Sequence, residues 1–490
     1  MAALVMACSI PRSPGYGVAL LLGLACATSS CRWDELSLRE PAAAVGPLPT
    51  RWTGGGPTIP GEAVTGWLDD FGDPKLRLLV DEAIGANFDL NAARARVGQA
   101  REQVRGTAAD RFPSVTAGMG ASRSEALRGA TFQSVRSNNF ALSFDFAWEV
   151  DLWGRIGNLQ GAQLDRFHAA TNLYNAARLS LAANVVKTAF GIVESRQQIA
   201  LAERTLASLR TNLDILDRKL EAGDADDRTA LEISLSRADI ARARSNVLSE
   251  QRQIDASRRT LETLLGRYPA GQMEDIARMP RLSRDVPTGL PSELLLRRPD
   301  LLAAEAQVDA AMKELVASRK ALLPAVRITG GIGTSSTDNI GDIFDIQNMV
   351  WNVGENLTRP LFQGGALRSA IRLDEHEKHE LIESYASTAL NAFREVETAL
   401  SGERYLAAQE EALRTAATES RRAEDLSLGQ YEQGLVDIIT LLESQRRAFD
   451  AQSALYATQL ELLQNRVDLY LALGGDFDHP LSSEQPSEGR

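Results

Sequence analysis

The segment Phe140–Val150 alternates between two kinds of residue without interruption. One set of alternate positions carries large apolar side chains: Leu142, Phe144, Phe146, Trp148 and Val150. The opposite set carries small or polar residues, among them Ser143, Asp145 and Glu149. A period of two residues predicts a β-strand with one apolar and one polar face. Such a strand separates two different environments, although most of the surrounding sequence has the pattern of helices.

The chain repeats itself at an offset of about 210 residues, which predicts a tandem duplication. DLNAARARV from Asp89 matches DLLAAEAQV from Asp300, and PSV from Pro113 matches PAV from Pro324. Further matches at nearly the same offset begin at Val186 and Val396, and at Leu220 and Tyr431. Each repeat is predicted to contain a helix, a strand that begins at a proline, a loop, a second strand and two long helices.

The first repeat is predicted over residues 76–268, with strands at about 113–123 and 139–152 and a helical hairpin at 155–266. The second is predicted over 299–475, with strands at about 324–335 and 349–362 and a hairpin at 365–473. Strands of about 10 residues are long enough to cross a bilayer when tilted. The polar segments 124–138 and 336–348 between the strands are predicted to be exposed loops.

Very long helices are predicted from the distribution of proline, which is absent between Pro113 and Pro269 and between Pro360 and Pro480. The first helix of each hairpin reads as one continuous helix of some 65 residues, on the order of 100 Å. Leucines at coiled-coil spacing follow one another at Leu206, Leu209, Leu213, Leu216 and Leu220. The hairpins are therefore predicted to be antiparallel coiled coils.

The N-terminus has the pattern of a secretory signal. Arg12 precedes the apolar run Val18–Ala27, which is too short to span a bilayer. Residues 1–30 are predicted to be a signal peptide, with lipid attached to Cys31 at the start of the mature chain. Cys26 fits the cleavage pattern less well, and an ordinary signal with incidental cysteines is the alternative. Residues 31–75 would then be a lipid-anchored segment, 269–298 a connector between the repeats and 476–490 a C-terminal tail.

Composition narrows the possible functions of the 490-residue chain. Its formal net charge of −12 argues against nucleic acid as a partner, because phosphate binding requires a basic surface. The three cysteines all lie in the first 31 residues, which leaves no thiol for a disulfide, a metal site or a nucleophile in the mature chain. His376 and His379 lie beside acidic residues on a helix, where a solvated face is the simpler interpretation than zinc. No catalytic constellation, metal or cofactor is predicted, and the chain is not expected to be an enzyme.

Four short strands per chain are too few to close a barrel. Copies of the same chain could supply the missing strands, which predicts a homo-oligomer. Apolar residues facing outward and polar residues facing inward are typical of a membrane barrel with a water-filled lumen. On this interpretation Leu142, Phe144, Phe146 and Trp148 face lipid, and Asp145 and Glu149 face the lumen. The alternative is an amphipathic sheet that packs against its own helices.

Four further segments carry a resemblance to a known family: WEVDLWGR (148–155), GLPSELLLRRPDLLAAEAQV (289–308), RPLFQGGALR (359–368) and YEQGLVDIITLLESQRRAF (431–449). With the repeat, they cover nearly the whole mature chain. The chain resembles the TolC-like outer membrane factor family, in the lipoprotein branch that serves resistance–nodulation–division efflux pumps. It departs from that family at Thr28, where a leucine usually stands three residues before the lipidated cysteine.

The resemblance implies a homotrimer in which four strands from each chain close a 12-stranded outer-membrane β-barrel, continued by a long periplasmic α-barrel of coiled-coil hairpins. It implies an exit channel of a tripartite efflux pump, with a periplasmic membrane-fusion adaptor and an inner-membrane resistance–nodulation–division transporter as partners. The protein is expected in the bacterial outer membrane, anchored by lipid and extending into the periplasm. A duct for type I protein secretion and a coiled-coil periplasmic scaffold lipoprotein without a pore are the alternatives.

The same resemblance implies a periplasmic gate at the hairpin tips. It places Ile439, Glu443 and Arg446 in the constriction and Asp437 nearer the tip. The internal repeat adds Glu232, in register with Glu443, and Asp226, in register with Asp437. An acidic ring at a narrow aqueous neck favours cations, and neighbouring arginines could latch it. The alternative is that these are ordinary surface charges on a helix.

Overall fold

The computed structural model describes residues 49, 51–54, 66–128, 133–221, 229–273, 278–282, 286 and 291–475. The predicted signal peptide, Cys31, Asp226 and the C-terminal tail lie outside these residues.

Four antiparallel strands form one sheet in chain order: β1 (Ser114–Arg128), β2 (Gln133–Val150), β3 (Ala325–Ser336) and β4 (Met349–Thr358). The prediction of a loop over 124–138 is wrong for most of its length. The β1–β2 pairing continues from Ser124 opposite Ser137 to Arg128 opposite Gln133. Polar side chains are compatible with this extension because they pair across it, as Arg136 does with Glu125 at 3.2 Å.

The described residues form eight α-helices: α1 (Pro74–Ala86), α2 (Phe88–Ala109), α3 (Arg155–Glu221), α4 (Thr229–Leu264), α5 (Pro291–Leu294), α6 (Pro299–Lys320), α7 (Ala366–Glu432) and α8 (Ile438–Ala472). The helices α3 and α7 contain 67 residues each, so each is about 100 Å long. Of the predicted coiled-coil leucines, Leu206, Leu209 and Leu216 are buried, whereas Leu220 near the tip is exposed.

In each repeat the long helix packs against two shorter helices that meet end to end. Helix α3 contacts α4 and α2, and α7 contacts α8 and α6. In the first repeat Asn87 caps α2, and its side-chain amide donates to the carbonyl of Leu264 at the end of α4, 3.0 Å away. Arg298 occupies the corresponding position of the second repeat. Its guanidinium donates to the carbonyl of Ala472 at the end of α8, 3.1 Å away. Two different side chains therefore hold equivalent junctions.

An aromatic cluster lies at the level of these junctions. The Trp67 ring stacks on Tyr470, with ring centroids 5.6 Å apart, and Phe71 packs edge-on against Phe190 at 5.1 Å. The hydroxyl of Tyr470 donates to the carboxylate of Asp70 at 2.5 Å. Burial, and then this hydrogen bond to a carboxylate, raise the pKa of Tyr470 above its usual range. The cluster joins the segment before α1 to α3 and α8, in the largest buried core of the described chain.

Within the described residues, one helix, Arg155–Glu221, is long and apolar enough to cross a membrane. However, 56% of its most apolar stretch is buried against the rest of the protein. Burial of this kind is what a core helix requires.

Candidate functional site

The sheet has one predominantly apolar face, which the strand register defines. Residues directly opposite each other in neighbouring strands have side chains on the same face. Phe144 lies opposite Ile332, and Ile332 lies opposite Trp351. The same face carries Val115, Met119, Leu142, Phe146, Trp148, Ile328 and Val353. Half of the Phe144 side chain and 72% of that of Trp351 are exposed, so the single chain presents a broad apolar surface.

The opposite face is polar and carries the two predicted lumen residues. Asp145 accepts a hydrogen bond from the Ser143 hydroxyl at 2.8 Å. Glu149, at the end of β2, accepts from Arg155 at 2.6 Å and lies 3.4 Å from Arg327 on β3. The negative charge of Glu149 is therefore balanced locally, whereas Asp145 has no ion-pair partner among the described residues. The two predicted acids differ in what they contribute to the potential of this face.

Glycines in β3 allow side chains of neighbouring strands to lie close to its backbone. A Cβ on Gly330 would lie 2.4 Å from Cε1 of Phe146, on the apolar face. A Cβ on Gly331 would lie 2.6 Å from Oδ1 of Asp145 and 3.1 Å from the side-chain oxygen of Asn352, on the polar face. Close packing within the sheet thus explains the glycines of the segment TGGIGTSS (329–336).

At the far end of the hairpins, Asp437 caps α8. Its carboxylate accepts from the backbone N–H of Thr440 at 2.8 Å and from the Thr440 hydroxyl at 2.6 Å. This is the usual way in which a helix start satisfies its free N–H groups. One turn further on, Glu443 forms ion pairs with Arg446 and Arg447 of the same helix. Asp437 and Glu443 therefore each contact side chains of α8.

Three of the predicted gate residues line one groove. The groove has a volume of about 440 Å³, and Ile439, Glu443 and Arg446 contribute to its lining. Helices α3 and α4 supply other lining residues, including Leu209, Leu235 and Arg242. The side chain of Ile439 is half exposed. The groove therefore combines an apolar surface with charges from both repeats.

Glu232 does not line this groove, although the repeat places it in register with Glu443. Its negative charge acts on Tyr431 at the end of α7. Burial, and then the charge of Glu232, raise the pKa of Tyr431. The ring of Tyr431 also lies 4.8 Å from the ammonium of Lys219, and its buried hydroxyl has no hydrogen-bond partner among the described residues.

Tyr431 was missed as a candidate residue. It begins the motif YEQGL, but the sequence gives no sign that it lies between the two hairpins. It is 5% exposed and packs in the cluster that joins α3, α4 and α8 near the tips. Tyr431, Lys219 and Glu232 thus connect the two repeats at a point beside the groove.

Comparison with known proteins places this geometry in a family. The model of the outer membrane efflux protein family matches residues 79–267 and 290–475, one stretch in each predicted repeat. The chain belongs to this family. It is 32% identical to outer membrane protein OprJ of Pseudomonas aeruginosa over 476 residues, covering 95% of this chain and 97% of OprJ. It is 28% identical to the cation efflux system protein CusC of Escherichia coli K12, covering 84% of this chain and 88% of CusC.

The fold is similar to that of a solved outer-membrane channel. The structure of the outer-membrane channel OprN superposes with a TM-score of 0.81 at 26% identity, covering 88% of this chain and 97% of OprN. The predicted fold class, the outer-membrane location and the role in efflux are confirmed by these matches. The alternative of a periplasmic scaffold without a pore receives no support from them.

Proposed function

We propose that three copies of this chain close a 12-stranded barrel in the outer membrane and continue as an α-barrel into the periplasm. The edges of the sheet support this assembly. Among the described strands, β1 and β4 each pair on one side only, and all ten residues of β4 are exposed. A sheet edge with unpaired backbone groups needs a partner inside a membrane. Pairing of β4 with β1 of the next copy supplies it without any further chain.

The lumen of this barrel is an aqueous exit path. The polar face with Asp145 and Glu149 lines the path, and the apolar face with Leu142, Phe144, Phe146 and Trp148 contacts lipid. The observation that carries this assignment is the division of a single sheet into a polar face and an exposed apolar face. Solutes pass through the duct unchanged, and the chain acts as a conduit and not as a catalyst. The resemblance to lipoprotein efflux channels supports a periplasmic adaptor and an inner-membrane resistance–nodulation–division transporter as partners.

The hairpin tips form the gate at the periplasmic end of this path. Ile439, Glu443 and Arg446 narrow the neck, and the capping residue Asp437 lies nearer its opening. Glu232 acts through Tyr431, which holds the two hairpins of one copy together. Separation of the hairpins widens the neck when the adaptor binds.

Single-channel conductance tests this gate. Glu443→Ala and Arg446→Ala are each expected to raise the conductance of the isolated trimer in a planar bilayer, because each removes part of the charged network at the neck. Charge reversal at Glu443 is expected to lower the preference for cations. Arg414→Ala is the matched control, because Arg414 pairs with Glu410 within α7 in the same manner but far from the tip. Conductance and selectivity that stay at the control level in all three variants would place these residues outside the neck.

Lipidation of Cys31 anchors the mature N-terminus. Metabolic labelling with a radioactive fatty acid is expected to mark the parent protein and not Cys31→Ser, while the variant still assembles because the barrel inserts on its own. Labelling that persists in Cys31→Ser and is lost in Cys26→Ser would move the site to Cys26. An unlabelled parent protein would exclude lipidation.

A further inference from the structure

The segment 337–348 between β3 and β4 is a folded structure and not an extended loop. It contains two short 3-10 helices, Ile340–Phe344 and Ile346–Asn348. Ile343 is 1% exposed. The side-chain amide of Asn348 donates to the carbonyl of Asp342 at 3.0 Å, and Asp345 caps the second helix by accepting from the Gln347 N–H at 3.0 Å. These contacts fix which side chains of the segment point outward.

The register shows on which side of the sheet the segment lies. Thr334 is opposite Leu142, and Ser336 is opposite Phe140, so both hydroxyls are on the apolar face. Thr334 donates its hydroxyl to the carbonyl of Ile343, and the Ser336 hydroxyl lies 3.0 Å from the carboxylate of Asp342. The segment therefore folds back over the apolar face and not over the polar face. These contacts also satisfy two hydroxyls that would otherwise stand on an apolar surface.

The outer surface of the segment is itself apolar. Ile340 is 50% exposed, and Phe344 and Ile346 are each 76% exposed. Met349, the first residue of β4, is 47% exposed and lies on the apolar face, opposite Thr334. The exposed side chains of the segment thus continue the apolar face of the sheet beyond the ends of β3 and β4. Contiguous exposed apolar groups of this kind mark a contact with lipid or with another protein.

We propose that the segment 337–348 contacts lipid. Its side chains Ile340, Phe344 and Ile346 lie in the extracellular leaflet, at the boundary between acyl chains and headgroups. This inference rests on the proposed function, because it requires the sheet to span the outer membrane. Strand β3 has 12 residues, which rise about 3.3 Å each and span about 30 Å when tilted by about 40°. That height matches the apolar band of an outer-membrane barrel, about 25 Å. The segment therefore begins where the band ends.

A neighbouring copy is a poorer occupant for this surface. In the closed barrel β4 lies beside β1 of the next copy, and the outer part of the β1–β2 hairpin is polar. Glu125 and Arg136 form an ion pair there, and the adjacent pair in the register is Ser124 and Ser137. A polar hairpin offers little to three large apolar side chains, whereas lipid continues the environment of Phe144 and Trp351. Continuity with the lipid-facing surface favours lipid.

Spin-label accessibility tests this assignment. The variant Phe344→Cys is labelled with a nitroxide in the assembled trimer in phospholipid vesicles, and collisions with oxygen and with a neutral nickel chelate are measured. Phe144→Cys provides the lipid-facing reference, Asp145→Cys the lumen reference, and the parent chain the background of the labelling reaction. The label at residue 344 is expected to collide with nickel roughly tenfold less than the label at 145, because a polar chelate is excluded from apolar surroundings. Its collisions with oxygen should resemble those at 144.

The outcomes separate this inference from the proposed function. A label at 344 that collides freely with nickel, while the label at 144 does not, would place the segment in water and overturn the inference. A label that is protected from both reagents would show a protein contact and would overturn it in favour of a neighbouring copy. If the label at 144 itself collided freely with nickel, the barrel would be wrong and the inference would fall with it. Ile346→Cys should reproduce the result at 344 if the whole segment 337–348 contacts lipid.

Discussion

The guanidinium of Arg298 joins three helices, and its removal is expected to loosen the junction between α6 and α8. The side chain is 10% exposed. It donates to both carboxylate oxygens of Asp300, at 3.0 and 2.7 Å, to Glu395 on α7 at 2.8 Å and to the carbonyl of Ala472. Arg298→Ala removes all four contacts and leaves two carboxylates without their cation.

The expected loss can be derived from this geometry. Removal of one partner from a buried ion pair costs about 3–5 kcal/mol, because the remaining charge stays away from water. The side chains of Asp300 and Glu395 are 33% and 44% exposed, so water replaces part of the lost interaction. The lower end of the range, about 3 kcal/mol, is therefore expected for Arg298→Ala. Arg298→Lys should lose less stability than Arg298→Ala, because lysine keeps the positive charge. It should still lose some, because lysine cannot make the bidentate contact with Asp300.

Amide hydrogen exchange of the trimer in detergent measures this loss locally. A decrease of about 3 kcal/mol in the free energy of opening corresponds to roughly 100-fold faster exchange. The effect should be confined to the segments 299–303 and 469–474, with little change at the hairpin tips. Arg105→Ala is the control, because Arg105 and Glu102 form an exposed ion pair, with side chains 68% and 64% exposed, whose loss costs at most about 1 kcal/mol. Exchange at the junction that rises no more than in this control would refute the role assigned to Arg298.

Three further predictions concern the junction and the sheet. Burial opposes ionisation of Asp300, but the hydrogen bonds and the charge of Arg298 outweigh burial and lower the pKa of Asp300. The stability that Asp300 contributes at neutral pH should therefore be lost as the pH falls below about 4. Amide exchange measured down to pH 3, in comparison with Asp300→Asn, checks this expectation. Phe144→Arg should cost roughly 2–4 kcal/mol and reduce heat-stable trimer on gels, whereas Asp145→Asn should be tolerated, and equal tolerance would contradict the assignment of faces. Gly333→Ala should impair assembly in the same assay, because its Cβ would lie 2.2 Å from a carbonyl oxygen of β2, whereas Gly120→Ala, which meets nothing within 4 Å, should not.

The alternation of Phe140–Val150 predicted this part of β2 and its two faces, because a strand with one apolar and one polar face has a strict period of two. The outer part of the β1–β2 hairpin carries no such contrast. Polar residues such as Glu125 and Arg136 are exposed in this part of the sheet, so the sequence looks like a loop although the backbone is paired. The apolar residues of the β3–β4 segment were also visible in the sequence. Their position could not be predicted, because it depends on two hydroxyls whose face is known only from the register.

The tips show the same limit in the helical part. The match to a known motif identified Ile439, Glu443 and Arg446, which do line one groove. The internal repeat puts Glu232 in register with Glu443, but Glu232 lies outside this groove, and its charge raises the pKa of Tyr431. A repeat preserves the backbone path more faithfully than the role of each side chain. Asn87 and Arg298 make the same point in the opposite direction, because different residues there perform one task.

The junctions between α4 and α2 and between α8 and α6 have a mechanical consequence. Below them the second helix of each hairpin is an arm of about 35 residues, roughly 50 Å long, that ends at the junction. At that arm length a pivot of about ten degrees sweeps the tip through roughly 9 Å. Among the described helices, α3 and α7 run unbroken past these junctions, so a rotation of α4 and α8 would require α3 and α7 to bend. A small rotation at the junction therefore gives a large displacement at the tip.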